Sequence, residues 1–126
     1  MTLDLAPGWT IDVDRGPDWL FIRLHGERPF ETEDVELAEP LWQLMQQHFV
    51  HRIVLELDEV PVLHSRLIGE LVRLHKRVES QSGLLRLCGL SDVNQQVLRT
   101  MHIADRFPQY ATREAAVMGD RPTQPR

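Results

Sequence analysis

Apolar and polar residues alternate from Trp9 to Asp14, with Ile11 and Val13 set between Thr10, Asp12 and Asp14. A period of two predicts a half-buried strand. The cluster Arg15-Gly16-Pro17-Asp18 then predicts a turn, because Gly and Pro supply dihedrals that strands avoid. Alternation resumes from Trp19 to His25, with Leu20, Ile22 and Leu24 on one face, and Gly26 ends it. Two alternating runs across a short loop predict an antiparallel hairpin.

The period then changes. Val35, Ala38, Trp42, Met45 and Phe49 recur at helical spacing, with Pro40 inside the stripe. Proline is tolerated in a first helical turn and not in an interior. The main helix is therefore expected to start near Glu39 or Pro40, after a looser approach turn over Glu33 to Ala38. Arg52 to Leu57 is short and mostly apolar, which predicts a strand buried on both faces and parallel to a neighbour. Asp58 to His64 reads as a loop. Ser65 to Ser82 reads as a strong helix, with Leu67, Leu71, Leu74 and Val78 as its stripe, widened by Ile68, Val72 and His75. Ser65 is its expected N-cap and Gly83 its terminator.

Leu84 to Cys88 predicts another short apolar strand, and Ser91 an N-cap for a helix carrying Val93, Val97, Leu98 and Met101. Phe107 to Tyr110 is expected as an edge strand, where a proline is permitted. Thr112 is expected to cap a last helix over Arg113 to Met118. The order β-β-α-β-α-β-α-β-α argues for one mixed sheet with helices packed against it. The expected domain is single and spans residues 1–126, with its core over 9–118 and a fraying tail over 119–126 that has two prolines and no apolar anchor.

Composition narrows the function classes. The chain has 126 residues, 42% hydrophobic and 26% charged, which suits one globular domain. Its net charge of −5 argues against a protein that neutralises many nucleic-acid phosphates. Its single cysteine, Cys88, permits no intramolecular disulfide and reads as a small core residue. No run of 18 apolar residues offers a membrane span, and Met-Thr-Leu-Asp-Leu-Ala-Pro lacks the charged and apolar regions of a signal peptide. A cytoplasmic protein is expected.

Candidate chemistry is sparse. Asp58, His64 and Ser65 lack the elbow and geometry of a hydrolase triad. The six histidines are scattered, and no metal site with convergent ligands is expected. The seven glycines form neither a Walker loop nor a dinucleotide fingerprint, so no cofactor is expected. Arg73, Lys76 and Arg77 read as a solvated helix face beside Glu70 and Glu79. Ser65 remains, at a strand-to-helix junction. Its simplest role is a cap; the other is a phosphate site, since free N–H groups at a helix start hold phosphate.

Several strings, in order and spacing, are similar to one family. They are Ile22-Arg23-Leu24-His25-Gly26-Glu27, Ile53 to Val60, Val62-Leu63-His64-Ser65, Ile68-Gly69-Glu70-Leu71, Gly83 to Leu90, and Phe107-Pro108 through Ala115-Ala116-Val117. Over residues 9–118 the chain resembles the STAS domain, and within it the bacterial anti-sigma factor antagonists. The resemblance implies a single STAS-like α/β domain, a mixed sheet with an N-terminal hairpin and helices packed against it. It also implies a non-enzymatic regulator in a partner-switching pathway. Its partner would be an anti-sigma factor that is also a serine kinase, and a phosphatase would reset the switch. In the family, a motif like Asp-Ser-(Ser/Thr)-Gly-Leu-Gly carries the phosphoacceptor; here the positions read His64, Ser65, Arg66, Leu67, Ile68 and Gly69. The resemblance makes Ser65 the candidate phosphorylation site, and His64, Ser65, Arg66, Leu67 and Glu70 the candidate partner-binding residues. Arg66 places a cation beside the acceptor, and Leu67 replaces a permissive glycine. The alternative is an adaptor that is not phosphorylated, such as the STAS subunit of a lipid transporter, in which Ser65 only caps.

Overall fold

The computed structural model describes residues 1–6, 8–26 and 36–119. The strands are β1 (Thr2–Ala6), β2 (Trp9–Arg15), β3 (Leu20–Gly26), β4 (Arg52–Glu56), β5 (Leu84–Cys88) and β6 (Gln109–Tyr110). The helices are α1 (Ala38–Gln47), α2 (Ser65–Ser80), α3 (Asp92–Thr100) and α4 (Arg113–Met118). The described residues form one six-stranded sheet in the order β1-β2-β3-β4-β5-β6. The pairs β1–β2 and β2–β3 are antiparallel, and every pair from β3 to β6 is parallel.

The pleat divides the sheet into two faces. Ile11, Val13, Leu20, Ile22, Leu24, Ile53, Leu55, Leu85 and Leu87 face the main core, which Leu41 and Met45 of α1, Leu67, Leu71 and Leu74 of α2, and Leu98 of α3 close from above. Phe21, Val54, Cys88 and Tyr110 face the other way and pack with Trp19 and with Ala116 of α4. Strand β4 is thus buried on both faces and paired in parallel on both sides, as its apolar run predicts. Burial pushes the Cys88 thiol up to about 12, which fits a core residue rather than a nucleophile.

Several boundaries depart from the sequence pattern. β1 precedes residue 9, where the predicted core begins; its Leu3 and Leu5 pack against the main core. Helix α1 includes Pro40 as its third residue, within the turn whose N–H groups have no helical acceptor. The stripe stops short of Phe49, because α1 ends at Gln47 and Phe49 adopts a positive φ of 55° that turns its ring into solvent. Of the approach turn over Glu33 to Ala38, residues 33–35 lie outside the described residues and Ala38 already belongs to α1; the tail beyond Gly119 also lies outside them. Gly83 ends α2 by close approach: Ser82 takes the positive φ, of 59°, and a Cβ on Gly83 would lie 2.2 Å from the His51 carbonyl oxygen. Ser91 and Thr112 cap as predicted, accepting from the backbone N–H groups of Asn94 and Ala115, each at 3.1 Å.

Candidate functional site

The loop between β4 and α2 leaves the sheet at the carboxyl end of a central parallel strand. Its apolar residues hold it down: Leu57, Val60 and Leu63 are buried in the main core, while Val62 is exposed. Asn94, fully buried in the first turn of α3, supplies the polar anchor. Its Oδ1 accepts from the Leu63 N–H at 2.8 Å, and its Nδ2 donates to the Val60 carbonyl at 3.0 Å. A backbone N–H and C=O that would otherwise be buried unpaired are thereby satisfied together. Gly89, with φ of +74°, lets the β5–α3 connection pass close to Asp58, since a Cβ there would meet the Asp58 Cβ at 3.0 Å.

The loop ends at His64, which is extended and is the N-cap of α2. This corrects the expected capping role of Ser65. Ser65 is the first residue inside the helix, where its side chain cannot reach back to the first-turn N–H groups. The His64 side chain makes no capping hydrogen bond and the first turn holds no acidic residue. The start of α2 therefore presents partial positive charge without a side-chain acceptor from among the described residues.

The five residues singled out from the sequence separate into two groups. Ser65 and Arg66 are exposed and His64 is half-buried, so these three share the accessible start of α2. Leu67 and Glu70 face inward. Leu67 is fully buried in the main core. Glu70 is 9% exposed, and its Oε1 accepts from the N–H groups of Leu37 and Ala38 at 2.8 and 3.1 Å, capping α1 from a distance. Glu70 thus ties α2 to α1, while Arg73 lies 3.7 Å from its second oxygen.

Asp58 lies 3.4 Å from Arg23, and among the described residues no hydrogen bond joins it to His64. Among the described residues no group of three His, Cys, Asp or Glu side chains is placed to hold a metal ion, and no helix is long and apolar enough to cross a membrane. Beside the loop, α3 and its C-cap expose Val93 and Met101, which line a shallow groove with Val97.

The sequence reading did not single out Asn94 or a charged strip on the outer face of the sheet. Arg113 donates from Nε and Nη2 to the two Glu56 oxygens at 2.9 and 2.8 Å, and from Nη1 to Asp14 at 2.7 Å. These bonds hold the guanidinium in its charged form and keep the Asp14 carboxyl below its ordinary value. Arg23 adds a contact to Glu56 at 3.5 Å. Glu56 at the end of an apolar strand was the available signal, since a buried carboxylate needs a cationic partner.

Comparison with known proteins agrees with this fold. No curated protein matches the chain. Among solved structures, an anti-sigma factor antagonist from Mycobacterium paratuberculosis is similar, with 19% identity, a TM-score of 0.68, and coverage of 90% of this chain and 96% of that one. An anti-sigma-factor antagonist (STAS) domain protein from Planctomyces limnophilus is 25% identical, with a TM-score of 0.61 over 86% of this chain and 96% of that one. The Bacillus cell fate determinant SpoIIAA in its phosphorylated form is 18% identical, with a TM-score of 0.60 over 88% of this chain and 99% of that one. The family model of the STAS domain matches residues 10–116, and the chain belongs to that family.

Proposed function

We propose that the chain is a non-enzymatic, anti-sigma factor antagonist-like regulator of a cytoplasmic partner-switching pathway. It docks on an anti-sigma factor of the serine-kinase type through the β4–α2 loop and the start of α2, and Ser65 accepts the phosphate. The observation that carries this reading is the exposed Ser65 at the uncapped start of α2, on a loop that Asn94 holds in place. A phosphate there would add roughly −1.5 to −2 charge at a surface a partner must approach. The unpaired first-turn N–H groups and Arg66 would hold it locally. Similarity to structures described as anti-sigma factor antagonists, and to SpoIIAA in its phosphorylated form, supports the reading. A phosphatase would reset the switch. Incubation with the cognate kinase and ATP should add the mass of one phosphate at Ser65 and weaken partner binding. An unmodified protein, with binding unchanged in Ser65→Ala, overturns the switch.

A second reading keeps the fold without the chemistry. Arg66 beside Ser65 and the buried Leu67 at a family glycine position favour a constitutive adaptor, such as a subunit of a lipid transporter. Recovery of transporter subunits in a pull-down, with no ATP-binding kinase, selects it.

A further inference from the structure

His25, near the end of β3, stands between two carboxylates from different parts of the fold. Its Nε2 is 2.6 Å from Asp12 Oδ2 on β2, and its Nδ1 contacts Glu59 Oε2 at the head of the β4–α2 loop. An ionised carboxylate only accepts hydrogen bonds, and a neutral imidazole has one N–H to give. The ring can serve both carboxylates at once, through the Nε2 hydrogen bond and the Nδ1 ion pair, only when it carries both protons. We propose that His25 is a proton-operated clamp: as an imidazolium it fastens the β4–α2 loop to the antiparallel half of the sheet, and on losing a proton it releases Glu59.

Which carboxylate lets go follows from what else holds each. Asp12 lies in a paired strand, and its Oδ1 accepts from the Thr2 hydroxyl at 2.7 Å. The Thr2 bond, the His25 bond and the nearby Met1 ammonium keep its carboxyl below the usual range, so it stays an acceptor. Glu59 is half-exposed on a loop, and His25 is its side-chain partner. The remaining charges nearby are engaged elsewhere: Arg23, two residues back on β3, lies by Glu56 and Asp58, and Arg113 of α4 binds Glu56 and Asp14. Asn94 continues to hold Val60 and Leu63 in either state, so release loosens the head of the loop without detaching it. The clamp concerns the loop itself and is independent of what docks on it or whether Ser65 is modified.

The test is a pH titration of the isotope-labelled full chain by NMR, following the His25 ring and the amides of Glu59, Val60 and Leu63. The loop amides should shift with the midpoint of the His25 ring. Above it, exchange at Glu59 and Val60, corrected for the intrinsic pH effect, should quicken about two- to five-fold, the factor expected for a partly exposed ion pair, while Leu63, whose N–H Asn94 holds, stays unchanged. In Glu59→Gln the side chain can accept from or donate to the ring, so His25 should still titrate while the loop transition disappears. Loop amides that ignore the His25 midpoint, or the same loop transition in Glu59→Gln, overturn the clamp. Kinase assays at a single pH leave this outcome untouched, so it separates from the Ser65 reading.

Discussion

Helices α2 and α3 both follow a parallel strand and a short connection, and both carry a serine at the junction. Ser91 stands just outside α3 and its Oγ accepts from the Asn94 N–H. Ser65 stands just inside α2 and is exposed. The other helix starts resemble Ser91 in outcome. Thr112 caps α4, and α1, whose N-cap Leu37 has no polar side chain, receives the Glu70 carboxylate from α2. Among the described residues, α2 is the helix whose start is left without a side-chain acceptor, and it is the helix that presents the candidate site. A one-residue offset separates a serine that caps its helix from one that does not.

Three experiments can break or sharpen that contrast. The largest effects should come from the side chains that tie one helix start to another element. Asn94→Ala strips the partners of Leu63 N–H and Val60 C=O, and Glu70→Ala strips those of Leu37 and Ala38 N–H. Each should lower stability by about 2–4 kcal/mol in urea unfolding, because buried polar groups lose their bonds. Glu70→Gln, which keeps an acceptor, should recover part of the loss; equal losses in both Glu70 variants would remove the capping role.

The serines should then differ. Ser91→Ala should cost about 1 kcal/mol, the usual value for a lost cap. Ser65→Ala should change stability by less than about 0.5 kcal/mol, as an exposed substitution does. Equal costs would place Ser65 back among the caps. One change should have the opposite sign: His64→Asp puts an acceptor at the extended N-cap position of α2 and should stabilise by about 0.5–1 kcal/mol. A loss there would mean that the start of α2 is already satisfied.

The elements were readable where a period was long or a cap was local. Leu67, Ile68, Leu71, Leu74, His75 and Val78 declare the buried face of α2 at helical spacing, and all six are buried. Thr112 and Ser91 act on N–H groups three residues away, so a short window contains both partners. Strand β1 escaped notice because Thr2 to Ala6 is brief and its pairing with β2 lies in a neighbouring segment. Phe49 misled because its spacing continues the α1 stripe, while the helix ends two residues earlier, at Gln47.

The candidate site shows the same division. By itself, the sequence determined the alternation of strands and helices, the apolar faces that pair them, and the serine at the β4–α2 junction, since each is a property of adjacent residues. Only the tertiary structure decided that Glu70 and Leu67 serve the core, that Asn94 anchors the loop, and that His25 meets Asp12 and Glu59. Those roles depend on partners 31 to 34 residues apart for Glu70, Asn94 and Glu59, as in Leu63–Asn94 at 31 and Val60–Asn94 at 34. Hydrogen bonds act over about 3 Å, so such partners exist only once burial of the shared core has brought their elements together.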